Sequence, residues 1–324
     1  MRSMKTMMNI TTCQEDLLRY KSNEDLRSFY QSYGLDGLEV LEAGADRWGI
    51  LTPADTVGVH LRYYSSWMDL WTGDRRRLLE EFGGWEACRQ AYGGDTREAL
   101  LEAYRGNIRF ANTLEPEYLV FHVSECTMAE SMLREYHYSD EEVVDAVIAL
   151  IDQVAGGIQG TPWLLFENLW YSGMNMLRPE IVGRLLDGIH YPKAGIMLDL
   201  GHLMHTNMEL QSPQEAVDHF HRVLDRLGDL SAIKGVHLHQ SLSGAYAKKL
   251  RKTWRPAEGS YMERIGEVMG HIFTIDTHRP FESPRIWEVL DRLPLEYLVL
   301  EEISADREEH ARQLSRQVSV LRRA

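Results

Sequence analysis

Six apolar runs in this 324-residue chain each end in a side chain that binds divalent metals: VGVHL at His60, YLVFHV at His122, WLLFEN at Glu167, GIMLDL at Asp199, GVHLH at His237 and YLVLEE at Glu301. Imidazole and carboxylate donors without sulfur suit zinc, manganese, iron or cobalt better than calcium. His202 follows Asp199 by three residues, close enough for both to reach one site once the chain turns. A carboxylate shared between histidines, with Glu167 the natural candidate, would hold two ions a few ångströms apart. Such pairs generate hydroxide near neutral pH and stabilise developing oxyanions.

For residues so distant in sequence to meet, their strand ends must converge, as they do at the C-terminal face of a (β/α)8 barrel. Short β-rich runs alternate with longer helical stretches, with no Pro/Gly-rich linker or low-complexity segment between them. Strands are expected at Lys5–Thr11, Leu38–Leu41, Val57–Leu61, Tyr118–Val123, Trp163–Glu167, Gly195–Asp199, Lys234–Leu238 and Tyr297–Glu301, the number that such a barrel needs. Strand side chains alternate faces, so His237 shares a face with His239, Met197 with Asp199, and Val299 with Glu301, leaving Glu302 out of register. Helices are expected at Asp140–Val154, with Ser139 as N-cap, and at Ser212–Leu227, with Pro213 at the first helical position. An α/β fold with a single (β/α)8 barrel domain spanning residues 1–324 follows. Its long connections after strands 3 (Tyr63–Pro116) and 7 (Gln240–Ser283) are the kind that builds or covers a barrel active site.

Composition narrows the partners. The chain is 44% hydrophobic and 26% charged, ordinary for a globular protein with a sizeable core. A net charge of -14 repels polyanions and disfavours nucleic acid as a partner. The N-terminal stretch MRSMKTMMNITT has no signal-like apolar core, and no run approaches the roughly eighteen apolar residues of a membrane span, so a cytoplasmic location without membrane contact is expected. Cys13, Cys88 and Cys126 are odd in number and lack a C-x-x-C spacing, so they read as free thiols. No glycine-rich phosphate loop opens a helix after a strand, so no nucleotide cofactor is implied.

Around the metal candidates stand residues suited to contact a small-molecule substrate. Arg62, Tyr63 and Trp67, together with Tyr64 and Trp71, follow His60 and could form an aromatic wall or an anion contact; packing of a loop on the barrel rim and a surface ion pair are the alternatives. His239 faces the same way as His237. Lys248 and Arg251 belong to a basic cluster with Lys249, Lys252 and Arg255, readable as a clamp for phosphate or carboxylate or as a solvated helix face. His190, His219, His221, His271 and His310 lie away from strand ends and read as surface or helix residues, with His205 intermediate.

With these strand-end ligands the chain resembles the xylose isomerase-like TIM barrel superfamily, which includes sugar isomerases, sugar phosphate isomerase/epimerases, ketose epimerases and endonuclease IV. The resemblance spans most of the chain at low density. In the ketose epimerases two Glu, one Asp and one His hold one metal, and the matching positions are Glu167, Asp199, His237 and Glu301. By that likeness the two glutamates would shuttle a proton while the metal polarises a carbonyl. The endonuclease IV pattern, which holds three zinc ions, finds counterparts in His60 and His122, in Asp199 and His202, and in Asp276 and His278 of IDTHRPF. Its H-L-N-D-S stretch appears as His237-Leu238-His239-Gln240-Ser241, its G-E-G loop is replaced by Arg279-Pro280-Phe281-Glu282, and its DNA-contacting loops have no match. The isomerase pattern departs too, with His239-Gln240 where K-D commonly follows the seventh-strand His. Glu39 resembles a substrate- or network-binding Glu of the superfamily, with a barrel-interior salt bridge as the alternative.

The resemblance implies a metal-dependent isomerase or epimerase of a small polyhydroxylated or phosphorylated carbonyl compound, with Glu167, Glu301 and His202 catalytic and one to three divalent ions, zinc or manganese, per chain. The alternative is a multinuclear phosphodiesterase of the abasic-site endonuclease type. A further alternative is a barrel that binds metal as a sensor without turnover. Self-association is compatible with each.

Overall fold

Alternation of apolar and small residues along short runs, each followed by a helix, folds the chain into parallel strands with helices outside them. The computed structural model describes residues 4–44, 49–256 and 258–322, so both ends of the expected 1–324 span lie outside the described residues. Its barrel strands are β1 (Lys5–Thr11), β2 (Gly37–Leu41), β3 (Thr56–His60), β4 (Tyr118–His122), β5 (Trp163–Glu167), β6 (Ala194–Asp199), β7 (Ile233–Leu238) and β8 (Tyr297–Leu300). All pair in parallel and in sequential order, and β8 returns to β1 to close a (β/α)8 barrel. The register shifts at Leu38/Glu39 between β2 and β3 and at Ile196/Met197 between β6 and β7.

The strand period places one apolar layer inside the barrel: Met7, Val57, Tyr118, Val120, Leu165, Met197, Tyr297 and Val299 are buried together there. One inward position further along the strands, Val120 gives way to His122, Leu165 to Glu167, Met197 to Asp199 and Val299 to Glu301. Polar side chains are thus stacked directly on an apolar plug. Outward-facing residues such as Phe166, Leu198, Val236 and Leu300 pack under the surrounding helices.

The helix Asp140–Val154 begins with a capping box between Ser139 and Glu142, and the helix Pro213–Leu227 is capped by Ser212 with Pro213 in its first turn. The long connections after β3 and β7 are largely helical. The first holds helices at Met68–Thr72, Arg75–Phe82, Trp85–Tyr92 and Arg97–Thr113, and the second holds Gly244–Thr253 and Tyr261–Ile275. This last pair packs on the helix Met128–Leu133 of the β4 connection, through Met128, Met132, Trp254 and Val268. A two-stranded antiparallel ribbon, Ser124–Glu125 with Ser172–Gly173, joins the segments that leave β4 and β5. Among the described residues no helix is long and apolar enough to cross a membrane.

Candidate metal centre

Convergence of the strand ends brings the metal-ligand candidates into one buried cluster. Glu167, Asp199 and His237 are fully buried, and His60, His202, Asp276 and His278 nearly so. Three groups share this volume. In the first, Glu167 Oε2 lies 2.8 Å from His60 Nε2 and 3.1 Å from His122 Nε2. In the second, His237 Nδ1 lies 3.3 Å from Glu167 Oε1, 3.6 Å from Asp199 Oδ2 and 3.4 Å from Glu301 Oε2. In the third, Asp276 Oδ2 lies 3.3 Å from His202 Nε2 and 3.0 Å from His278 Nε2.

The hydrogen bonds behind the imidazoles fix which nitrogen faces the centre. His60 Nδ1 meets the Leu61 carbonyl at 2.8 Å, His202 Nδ1 the Asn168 carbonyl at 2.9 Å, and His278 Nδ1 the Glu301 carbonyl at 3.1 Å. A carbonyl only accepts, so each Nδ1 carries a proton and each Nε2 is the nitrogen left to face the centre. His237 is turned the other way: its Nε2 donates to the Glu39 carboxylate at 3.1 Å, and Tyr118 donates to the same carboxylate at 2.7 Å. The inward His237 Nδ1, Glu167 Oε1 and Glu301 Oε2 are buried without a hydrogen-bond partner. Ligand atoms gathered so closely, with the imidazoles held from behind, fit divalent cations: such backing of ligands by carbonyls and carboxylates is usual around metals.

Electrostatics agree with this balance of charge. Burial pushes the Glu167 carboxyl up, but the imidazoles of His122 and His237 outweigh it and hold the group well below the usual carboxylate range. Asp276 behaves alike, with His278 and His202 opposing burial. Burial depresses the His202 and His237 imidazoles, yet neighbouring carboxylates, led by Asp199 and Glu39 respectively, raise both well above the ordinary value. For Glu301 burial wins and the carboxyl is pushed up.

Backbone geometry serves the same cluster. Asp199 caps the helix Leu200–His205, its Oδ1 accepting the His202 amide at 2.5 Å, while its own amide donates to Asn168 Oδ1 at 2.9 Å. His278 holds the left-handed region, at φ 42°, a strained setting for a side chain other than glycine.

Solved structures share this architecture. Endonuclease IV from Thermus thermophilus matches with a TM-score of 0.51 at 17% identity, over 98% of this chain and 98% of that one. A protein named for xylose isomerase, from Rhodospirillum rubrum, matches with a TM-score of 0.51 at 13% identity, again over 98% of each chain. The chain has the xylose isomerase-like barrel fold. No protein-family model matches the sequence, and no curated protein matches it.

In this xylose isomerase-like barrel the nine expected ligands, His60, His122, Glu167, Asp199, His202, His237, Asp276, His278 and Glu301, all fall within the three groups. His239, read from the sequence as a substrate contact, lies inside the cluster, its Nε2 3.1 Å from Asp199 Oδ2. Glu39 is the buried partner of His237 rather than a group at the opening. The other substrate candidates divide. The Tyr63 ring stands edge-on to His122, with centroids 4.9 Å apart. Arg62 is exposed, over the Tyr64 ring. Trp67 does not line the centre: it is buried in the main core and its Nε1 donates to the Ser124 carbonyl at 2.8 Å. Lys248 pairs with Glu209 at 2.7 Å and Arg251 lies 3.6 Å from Glu135, the solvated-face arrangement.

Sequence reasoning passed over several residues around the centre. Asn168 holds Asp199, and Ser241 lies between His239 and Asp276. The Trp170 ring covers His202 and His205, with centroids 5.2 and 4.3 Å away. The asparagine directly after the β5 ligand was visible as a polar residue inside an apolar run; nothing local marked Trp170. His219, His271 and His310, expected at the surface or on helices, are on helices but buried.

Proposed function

We propose that this barrel is a multinuclear metal-dependent hydrolase that cleaves a phosphate ester of a small substrate. The observation that carries the reading is the division of Glu167, whose Oε2 meets His60 and His122 while its Oε1 meets His237. One carboxylate shared between two ligand groups, with a third group beside them, suits two or three ions where a single-ion enzyme needs four ligands in all. Divalent ions held there would supply a nucleophile near neutral pH and offset charge developing on phosphate oxygens.

The chain's own residues set the rest. Glu167 fixes the spacing of two positions, Asp199 and Glu301 complete one of them with His237, and His60 and His122 complete the other. The carbonyls behind His60, His202 and His278 keep those imidazoles from rotating. Tyr63 and Trp170 flank the cluster and restrict water, a condition under which electrostatic stabilisation is strongest. His122 and Glu301 are the most exposed of the ligand candidates, with 13% and 14% of their side-chain surface accessible. The burial of the cluster and the net charge of -14 favour a small substrate over a gripped duplex.

The test is metal content of protein purified without added metal or chelator, with hydrolysis of bis(4-nitrophenyl) phosphate and of an abasic-site oligonucleotide assayed alongside. The expected result is two or three ions per chain and phosphodiester cleavage that is lost in His60→Ala and Glu167→Gln. One ion per chain with no cleavage would overturn the reading.

A second reading, an isomerase or epimerase of a small carbonyl compound, is favoured by one specific contact set: Glu167 and Glu301 lie 3.3 and 3.4 Å from the same His237 Nδ1, a placement suited to two-sided proton transfer. It predicts solvent deuterium incorporation into ketoses and ketose phosphates, lost in Glu167→Gln and retained in His60→Ala.

A further inference from the structure

The helix Tyr261–Ile275 is apolar on two sides. Val268, His271 and Ile275 turn inward, while Met262, Met269 and Phe273 stand outward with 67%, 41% and 57% of their surface exposed. Their spacing of seven and four residues puts all three on one face. Gly266 shares that face, with open space where a Cβ would stand. On the neighbouring helix Gly244–Thr253, Tyr246 is also exposed, and its ring stacks on that of His271 with centroids 5.7 Å apart. Four of the seven large apolar side chains exposed among the described residues thus belong to the β7 connection. Apolar side chains gathered in this way mark a surface that meets a partner.

Positive charge lies beside them. Within a chain of net charge -14, residues 244–275 hold six Lys or Arg and three Glu, a local charge of +3. Lys249, Arg251 and Lys252 on the first helix, and Arg255 just after it, are exposed. Both helices pack on the helix Met128–Leu133, the first through Leu250 with Trp254 at its end, the second through Ile265 and Val268. They therefore lie side by side, and their outer faces look the same way.

We propose that this two-helix face docks the protein peripherally on an anionic lipid bilayer. Charge chooses the occupant. A second copy, paired symmetrically through the same face, would set +3 against +3. A nucleic acid would neutralise the lysines but leave Met262 and Phe273 in water. A bilayer with anionic head groups takes both, the cations resting among the head groups while the Met and Phe side chains enter the boundary of the acyl chains. Such docking uses no spanning segment, and it departs from the expectation of no membrane contact, which rested on the absence of spans. Asp276 and His278 directly follow the helix Tyr261–Ile275, so docking holds that rim of the barrel mouth near the bilayer, whatever reaction the metal centre performs.

The experiment sediments the full chain with vesicles of phosphatidylcholine alone and of phosphatidylcholine mixed equally with phosphatidylglycerol. It is repeated with Met262→Ser/Phe273→Ser and with Lys249→Glu/Lys252→Glu. All four side chains are exposed and outside the metal centre, so urea midpoint and metal content should match those of the parent. The parent is expected to partition onto the anionic vesicles at least about 10-fold more strongly than onto the neutral ones, and less as salt rises. Each double variant is expected to lose at least about 10-fold of that partitioning. Equal partitioning onto both vesicles, none onto either, or unchanged partitioning in either variant would overturn the proposal. So would a concentration-dependent dimer that Met262→Ser/Phe273→Ser abolishes, which would give the face to a second copy.

Discussion

Glu39 Oε2 lies 3.1 Å from His237 Nε2, on the side of the ring opposite the atom that meets Glu167 and Glu301. The carboxylate can only accept, so it forces the proton onto Nε2 and leaves Nδ1 available to an ion. Replacing Glu39 by Ala is expected to lower affinity for one ion by about 10–100-fold, the usual effect of removing a group that orients a ligand. Competition against a chelator measures it, and an unchanged affinity would remove Glu39 from the site.

Gly58 on β3 lies against Tyr118, the residue that holds Glu39, and a Cβ there would run into the Tyr118 ring. Gly58→Ala is expected to destabilise the fold by about 1–3 kcal/mol, the cost of overpacking a well-filled interior. The urea midpoint reports the loss. A companion drop in metal affinity is expected, because the displaced ring no longer positions Glu39.

Acid sensitivity should trace in part to His310. Burial holds its imidazole down at about 4, with Arg19 adding to the effect, and neither ring nitrogen has a hydrogen-bond partner. The native state keeps it neutral, so its contribution is fully present above the unfolded value of about 6.5 and is lost as the pH falls through about 4. Between those limits stability should fall by up to about 1.4 kcal/mol per pH unit from this group. Urea midpoints across that window, compared with His310→Met, should show a shallower acid slope in the variant.

Metal uptake should release protons. Without an ion, carboxylates outweigh burial and hold the His278 imidazole up at about 9, and they raise those of His202 and His237 well above the ordinary value. An ion must displace those protons, so affinity should rise with pH from neutrality towards about 9, the value of the His278 imidazole. Calorimetry in two buffers of different ionisation enthalpy counts the protons released; identical heats would contradict the protonated ground state.

Much of the barrel was legible. The runs Lys5–Thr11 and Trp163–Glu167 form strands with the expected bounds, and the other strands begin or end within about a residue of expectation, because apolar alternation ends where a polar side chain must turn into the mouth. The same geometry explains why His60, His122, Glu167, Asp199, His237 and Glu301 gather. Three histidines read as surface or helix residues are helical, and their burial was legible too. His219 sits on one helical stripe with Ala216, Phe220 and Val223, His271 with Val268 and Ile275, and His310 with Leu314 and Gln317, so spacing of three and four already marked them as buried. Trp67, by contrast, lies in an irregular turn before a short helix, where no periodicity assigns a face.

The β7 connection leaves and re-enters the barrel at one point: Gln240 and Arg279 exchange backbone hydrogen bonds of 2.7 and 3.3 Å, although 39 positions separate them along the chain. A detour that starts and finishes at the same spot places no demand on the strands it joins. Its outer part can grow, shrink or be swapped while the paired stems keep Ser241, Asp276 and His278 where they are. The helices between form a cartridge that can be exchanged without disturbing the side chains that the stems carry.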